Sequence, residues 1–312
     1  MSQSLTLIFC GTPAFAVPTL EKLAESGFDL PLVVTQPDRP RGRGLELSPT
    51  PVMASALALK LPVFQPETIK NNQDFHAQLN AIRPDAIIVV GYGRLIPQWM
   101  IDLPRFGNLN LHASLLPKYR GAAPIQWAIA RGESTTGVTT MLIDAGLDTG
   151  DILMRREIPI ESEDTAETLS PRLATIGATL MVETLQGLEG GKIHPQPQDH
   201  NRATLAPILR KEDGRIDFQR TAQEICNRLR GFQPWPGAFT TFRGKTLHIW
   251  TASAAKGQLP PGEIGIENGR LMAGCGGGTA LELLQLQPEG KKRISASDFV
   301  HGYRPMPGER LG

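Results

Sequence analysis

A chain of 312 residues, 40% hydrophobic and 20% charged, has an ordinary globular composition and exceeds a typical single core, so two domains are expected. The net charge of +1 excludes a uniformly basic surface, and three scattered cysteines, Cys10, Cys226 and Cys275, exclude a disulfide framework and fit no metal-ligand spacing. No run approaches the ~18 uninterrupted apolar residues of a membrane span, and the apolar stretch from Leu5 breaks at Gly11 and Pro13 as a buried strand does, so a cytoplasmic protein with reduced thiols is expected.

Leu5 to Cys10 reads as a strand, Gly11-Thr12-Pro13 as a tight turn, and Phe15 to Ser26 as a helix. Pro31 to Thr35 predicts a second strand, followed by a loop from Gln36 to Pro51 rich in Pro, Gly and Arg. Further helices are predicted from Val52 to Lys60 and Asp74 to Ile82, with strands near Val63 and from Ala86 to Val90. The last of these is a β-branched run of the kind buried on both faces of a parallel sheet. A strand from Gly107 to Leu111 and a helix from Ile125 to Arg131 complete the alternation. Strands and helices alternating at this spacing predict a doubly wound, mostly parallel α/β sheet of Rossmann-like type.

From Val138 the pattern changes to two strands, Val138 to Ile143 and Ile152 to Ile158, around a Gly/Asp-rich turn. A long helix is predicted from Thr165 to Leu188, opened by acidic residues that suit its positive end, and Gly190-Gly191 closes it. Residues 1–189 therefore read as one domain, 190–206 as a polar linker, and 207–312 as a second domain. There, a helix from Ala222 to Arg230 precedes short strands punctuated by Gly and Pro, which suggest a small β-barrel. From Leu205 onward fifteen Lys/Arg stand against ten Asp/Glu, a charge of +5, while the preceding residues carry −4. A basic C-terminal third suits a polyanionic partner; an uneven scatter of solvated charge fits the same count.

Four segments bear on chemistry. Asn110 and His112 lie two apart on a strand and so share one face, at the end where open parallel sheets place reactive groups. An amide and an imidazole there are donors able to stabilise an oxyanion, and equally an Asn and His satisfying local hydrogen bonds. The run DAGLDTGD, Asp144 to Asp151, places three carboxylates and two glycines in eight residues: a turn composition that becomes functional only if one carboxylate meets His112. Its spacing fits no calcium loop. Gly11-Thr12-Pro13 lacks both a dinucleotide fingerprint and a phosphate-loop lysine. Asp38 to Gly44 carries Arg39, Arg41 and Arg43 among glycines, suited to a phosphate or to solvent.

Together, FCGTPAFA (Phe9 to Ala16), QPDRPRGRG (Gln36 to Gly44), GYGRLIP (Gly91 to Pro97), NLHASLLPKYRGAAPIQWAI (Asn110 to Ile129), GLDTGDIL (Gly146 to Leu153), LRGFQPWPGA (Leu229 to Ala238) and QPEGKKRISASDF (Gln287 to Phe299) resemble the folate-dependent formyltransferase family over essentially the whole chain. The arginine loop and C-terminal segments narrow the resemblance to members acting on a charged tRNA. It implies transfer of a formyl group from 10-formyltetrahydrofolate to the α-amine of initiator methionyl-tRNA, with folate and tRNA as partners, no membrane and no metal, in a monomer. Asn110, His112 and Asp148 match the family's catalytic trio, which leaves Asp144 and Asp151 structural. Ser114, Leu115, Leu116 and Pro117 match its tetrahydrofolate loop, and Arg94, Leu95 and Ile96 with the Ile143 to Gly146 turn its pterin pocket. Arg41 and Arg43 match the insertion that reaches the tRNA acceptor end, and the second domain is similar to an OB-like barrel that holds tRNA. Leu45-Glu46 and Met53 stand where the family often has lysines, which predicts weaker loop contact with phosphate, with Arg41 as compensation. An amino-sugar nucleotide acceptor, a nonenzymatic RNA-binding role and a nicotinamide dehydrogenase are the rival readings; the last lacks its fingerprint after the first strand.

Overall fold

The computed structural model describes residues 4–41 and 46–312, which cluster into two compact units. The first comprises residues up to Gly121, Thr135–Pro159 and Ser170–Ala206; the second comprises Ala122–Ser134, Ile160–Leu169 and Pro207–Gly312.

In the first unit the elements run β1 (Thr6–Gly11), α1 (Val17–Glu25), β2 (Asp29–Val34), β3 (Arg39–Arg41), β4 (Glu46–Ser48), α2 (Pro51–Ala58), β5 (Val63–Phe64), α3 (Gln73–Ile82), β6 (Ala86–Val90), α4 (Gln98–Ile101) and β7 (Asn108–His112). After α5 (Pro124–Ala130), which belongs to the second unit, come β8 (Thr135–Leu142), β9 (Ile152–Pro159) and α6 (Ala166–Glu189). Seven strands form one sheet in the order β5-β2-β1-β6-β7-β8-β9. The first five pair in parallel, and β8 and β9 are antiparallel additions. The chain winds outward from β1 to β5 and then crosses back to β6 on the other side of β1. The switch point therefore lies between the carboxyl ends of β1 and β6, where open α/β sheets bind ligands.

The parallel strands are buried on both faces: every residue of β6 is buried, and in β1 only Thr6 is partly exposed. Thr50 and Asn72 cap α2 and α3 by accepting from the backbone N–H of Met53 and Phe75. Gly177 lets α6 approach β7, because a Cβ there would sit 2.6 Å from the Leu111 side chain. The hydroxyls of Thr140 on β8 and Thr184 on α6 join them at 2.8 Å. The predicted loop from Gln36 to Pro51 contains the β3–β4 hairpin, paired Arg39 with Ser48 and Arg41 with Glu46. Arg43 and Leu45 lie outside the described residues.

The second unit contains α5, α7 (Ala222–Gly231), β10 (Ala238–Phe242), β11 (Lys245–Lys256), β12 (Ile264–Glu267), β13 (Arg270–Cys275), β14 (Thr279–Pro288), β15 (Ile294–Ser295) and α8 (Ala296–Tyr303). Its antiparallel sheet has the order β10-β11-β14-β13-β12, with β15 added to β14. Thr221 and Glu224 form a reciprocal capping box on α7. Phe218, Ile225, Leu229, Phe242, Leu281 and Phe299 are among the side chains of its core. Residues 309–312 run between the two edge strands: Ile264 N–H donates to the Glu309 carbonyl at 2.9 Å, Leu311 N–H to Gly262 at 2.8 Å, and Gly312 N–H to Thr241 at 3.1 Å. The Arg243 guanidinium grips Glu309 through two bonds of 2.7 and 2.9 Å. Among the described residues no helix is long and apolar enough to cross a membrane.

Two predictions follow from this packing. Leu311 is 5% exposed, so Leu311→Ala should lower the stability of the second unit by about 2–4 kcal/mol, read as a lower denaturant midpoint of its tryptophan fluorescence. All three cysteines are buried; burial pushes the Cys226 thiol up to about 11 and Cys275 to about 12, and raises Cys10 as well. A thiol reagent at pH 8 should therefore label essentially nothing in the folded protein and three thiols after denaturation.

Candidate active site

The sequence NLNLH along β7 alternates as a strand requires, with Leu109 and Leu111 on one face and Asn108, Asn110 and His112 on the other. These three polar side chains have different fates. The buried Asn108 amide donates to the carbonyls of Met100 and Ile101, at 2.8 and 3.1 Å, and so holds the end of α4. Asn110 is half-buried and hydrogen-bonds to none of the described residues through its amide. His112, at the carboxyl end of the strand, is 6% exposed.

The chain after His112 folds back against β8. Thr139, which pairs with His112 across the two strands, donates its hydroxyl to the Ser114 carbonyl at 2.6 Å and accepts from Leu116 N–H at 3.2 Å. The Ser114 hydroxyl closes the turn on the Lys118 carbonyl at 2.7 Å. Tyr119 adopts a left-handed backbone, φ 62°, and its N–H donates to Thr204 Oγ1 at 2.9 Å. Its carbonyl then lies 2.8 Å from His112 Nε2. A carbonyl only accepts, so Nε2 carries a hydrogen and Nδ1 is the nitrogen turned toward the turn between β8 and β9.

That turn brings in Asp148. Asp144 accepts from Gly146 N–H at 3.0 Å and from the Thr149 hydroxyl at 2.7 Å, which makes it a turn-forming residue. Asp148 has φ 51° and points its carboxylate inward, with Oδ2 3.7 Å from His112 Nδ1. The same oxygen accepts from Gly121 N–H at 2.8 Å. Gly121 has φ 120°, and a Cβ there would lie 2.7 Å from the Ala206 carbonyl oxygen, so glycine is required where the backbone must come this close. The imidazole and carboxylate are at ion-contact distance, beyond a direct hydrogen bond.

The remaining sequence-identified positions divide. Ser114 and Leu116 are fully buried, Leu116 packing with Met141 and Ile152, so they shape the loop from beneath; Leu115 and Pro117 are half-buried. Leu95, just beyond β6 at the switch point, is 92% exposed, an apolar side chain displayed where the fold places ligands. Ile96 packs on the core, and the Arg94 guanidinium donates to the Glu67 carbonyl. Arg41 is placed by its backbone at the end of β3, and Arg43 lies outside the described residues.

Sequence reasoning assigned no role to Tyr119, Arg120, Gly121 or Gln198. The first three stand inside the quoted KYRGAAP run but act through backbone atoms or through a partner some 80 residues away. Gln198 falls in the stretch read as linker. Residues 196–206 pack on the first unit: Gln196 bridges to Ile152, and Arg120 to Leu205. Among the described residues no group of three or more His, Cys, Asp or Glu side chains is gathered as a metal site.

Residues 4–185 match the formyl transferase family and residues 208–304 the formyl transferase C-terminal domain. A methionyl-tRNA formyltransferase of Koribacter versatilis is 66% identical over 308 residues, covering 99% of both chains, and one of Acidobacterium capsulatum is 61% identical over 99% of this chain and 100% of its own. Among solved structures, the sugar 3N-formyl transferase WlaRD, crystallised with dTDP and 5-N-formyl-THF, superimposes with a TM-score of 0.67 at 18% identity, covering 93% of this chain and 100% of its own. HypX from Aquifex aeolicus in complex with tetrahydrofolic acid gives 0.62 at 17% identity, over 98% of this chain and 49% of its own. With residues 4–185 and 208–304 matched in series to its two domains, the chain belongs to the formyl transferase family.

Proposed function

We propose that this protein transfers the formyl group of 10-formyltetrahydrofolate to the α-amine of initiator methionyl-tRNA, with Asn110, His112 and Asp148 as the reacting constellation. One observation carries the assignment: at the carboxyl end of β7 the Asp148 carboxylate lies 3.7 Å from the His112 imidazole, on the strand face that Asn110 shares. The near-full-length relatives named methionyl-tRNA formyltransferase support the acceptor. The donor's flat ring suits the exposed Leu95 at the switch point, so the residues present fit a folate.

In this reading Asn110 donates its amide N–H to the formyl oxygen as the amine attacks the formyl carbon. In its imidazolium form, with a hydrogen on both ring nitrogens, His112 donates to the same oxygen through Nδ1–H, because Nε2–H is committed to the Tyr119 carbonyl. Asp148 stabilises charge on His112 across 3.7 Å and accepts, directly or through water, the proton lost by the attacking amine. His112 then gives its Nδ1 proton to the departing folate nitrogen, and Asp148 passes the proton taken from the amine back to Nδ1, directly or through water, which restores the pair. A formyl amide is already electrophilic, so preorganised donors supply the stabilisation needed. Ser114, Leu115, Leu116 and Pro117 shape the folate loop, with Arg94, Leu95 and Ile96 along the pterin.

The proposed division is a catalytic domain over 1–189, a linker over 190–206 and a tRNA-binding domain over 207–312. The strand path from β10 to β12 does not close on itself, and the bridges from residues 309–312 to β10 and to the stretch before β12 support reading the second domain as OB-like. Arg41 and Arg43 would contact the acceptor end, in a cytoplasmic monomer.

The deciding assay is formyl transfer from 10-formyltetrahydrofolate to charged initiator tRNA, with free methionine and a sugar amine as alternative acceptors; preference for the sugar amine would overturn the acceptor assignment. Removing one preorganised donor costs about 3–4 kcal/mol in the transition state, so His112→Ala or Asp148→Ala should lose on the order of a hundredfold in turnover while folding normally. A near-wild-type rate in either contradicts the mechanism. Arg43→Ala should raise KM for tRNA and flatten the salt dependence of its binding, leaving folate affinity unchanged; equal damage to both substrates would remove the loop from the tRNA interface.

A further inference from the structure

Gln198 lies 50 residues from Asp148 in sequence and is 5% exposed. Its amide is oriented without ambiguity. Gln198 Oε1 accepts from Arg120 Nε at 3.1 Å and from Arg120 Nη2 at 2.6 Å, and a guanidinium can face only an acceptor. The Gln198 amide nitrogen is thereby turned the other way, donating to the Asp148 carbonyl at 2.9 Å and the Gly150 carbonyl at 2.7 Å. One side chain thus holds the backbone on both sides of Thr149, immediately after the carboxylate that faces His112.

Arg120 is itself buried, 7% exposed, and among the described residues no carboxylate lies within ion-pair distance of it. Its other side-chain partner is His200 Nδ1 at 3.2 Å. A guanidinium buried against a neutral amide, with no counter-charge, is costly as a stability device alone. It does polarise the amide and strengthen donation from the far side. The held segment needs such support, because Asp148 occupies the left-handed backbone region at φ 51°, which a non-glycine residue adopts only when its surroundings impose it. Arg120 also precedes Gly121, whose N–H binds the Asp148 carboxylate. The same short segment therefore grips Asp148 from two sides.

We propose that Gln198, oriented by Arg120, is a positioning residue that sets the Asp148 carboxylate against His112 Nδ1. The proposal rests on the reading of Asp148 and His112 as reacting groups, and the test separates the two.

Gln198→Glu is the informative substitution. A carboxylate of the same shape still accepts from Arg120 but cannot donate, and it sets an oxygen against the Asp148 and Gly150 carbonyls. A displacement near 1 Å in a reacting constellation can cost about a hundredfold, so kcat should fall at least about tenfold, with KM for folate and tRNA within about threefold of wild type. The His112 ring 15N signals, identified by their loss in His112→Gln, should move in the direction that Asp148→Asn moves them. Arg120→Lys, which loses the planar fork, should give a smaller kcat loss with the same ring signature, and it serves if Gln198→Glu does not fold. Wild-type kcat in the folded variants, or a kcat loss with unchanged His112 ring signals, overturns the positioning role. If Asp148→Asn itself retains full turnover, the functional reading fails instead, independently of Gln198.

Discussion

The site depends on a single hydrogen bond, from His112 Nε2 to the backbone carbonyl of Tyr119. It places a hydrogen on Nε2, fixes the ring's rotation and leaves Nδ1 as the nitrogen that meets Asp148. The acceptor is a backbone atom, so the constraint is enforced by loop geometry. Thr139 on β8 holds the loop's beginning through Ser114 and Leu116, and Thr204 holds its end at Tyr119. A left-handed turn at Tyr119, costing roughly 1–2 kcal/mol for a non-glycine residue, is sustained by those contacts.

The carboxylate is supplied by a different logic. β8 and β9 reverse the direction of an otherwise parallel sheet, and their connection delivers Asp148 beside the end of β7. Asp144 builds the turn, Gly121 receives the carboxylate, and the Gln198 amide secures the backbone behind it. Asp144 and Asp148, two carboxylates in one turn, thus take distinct tasks through their hydrogen-bond partners. At 3.7 Å the Asp148 carboxylate is in ion contact with Nδ1 without closing a direct hydrogen bond on it.

Much of this was legible in the sequence because its signals are local. The β-branched run at Ala86 to Val90 and the alternation along Asn108 to His112 carried strand identity, buried faces and the shared orientation of Asn110 and His112. The sequence also separated a structural Asp144 from Asp148, through the family resemblance. Other features were hidden for physical reasons. β13 is rich in small residues, Ala273, Gly274 and Cys275, which carry little strand propensity and are held by their neighbours on both sides. α8, whose Ser295 hydroxyl caps the Asp298 N–H, sits in a polar stretch with one buried anchor, Phe299. Gln198 could not be found locally, since its meaning comes from Arg120, Asp148 and Gly150, all distant in sequence.

The most direct measurement of the central claim is a crystal structure of the protein with a formylated folate that does not transfer its group. The account predicts the formyl oxygen within hydrogen-bond distance of both the Asn110 amide nitrogen and His112 Nδ1, with Nε2 still on the Tyr119 carbonyl. A formyl oxygen facing neither donor, or a His112 ring turned to present Nε2, would contradict it.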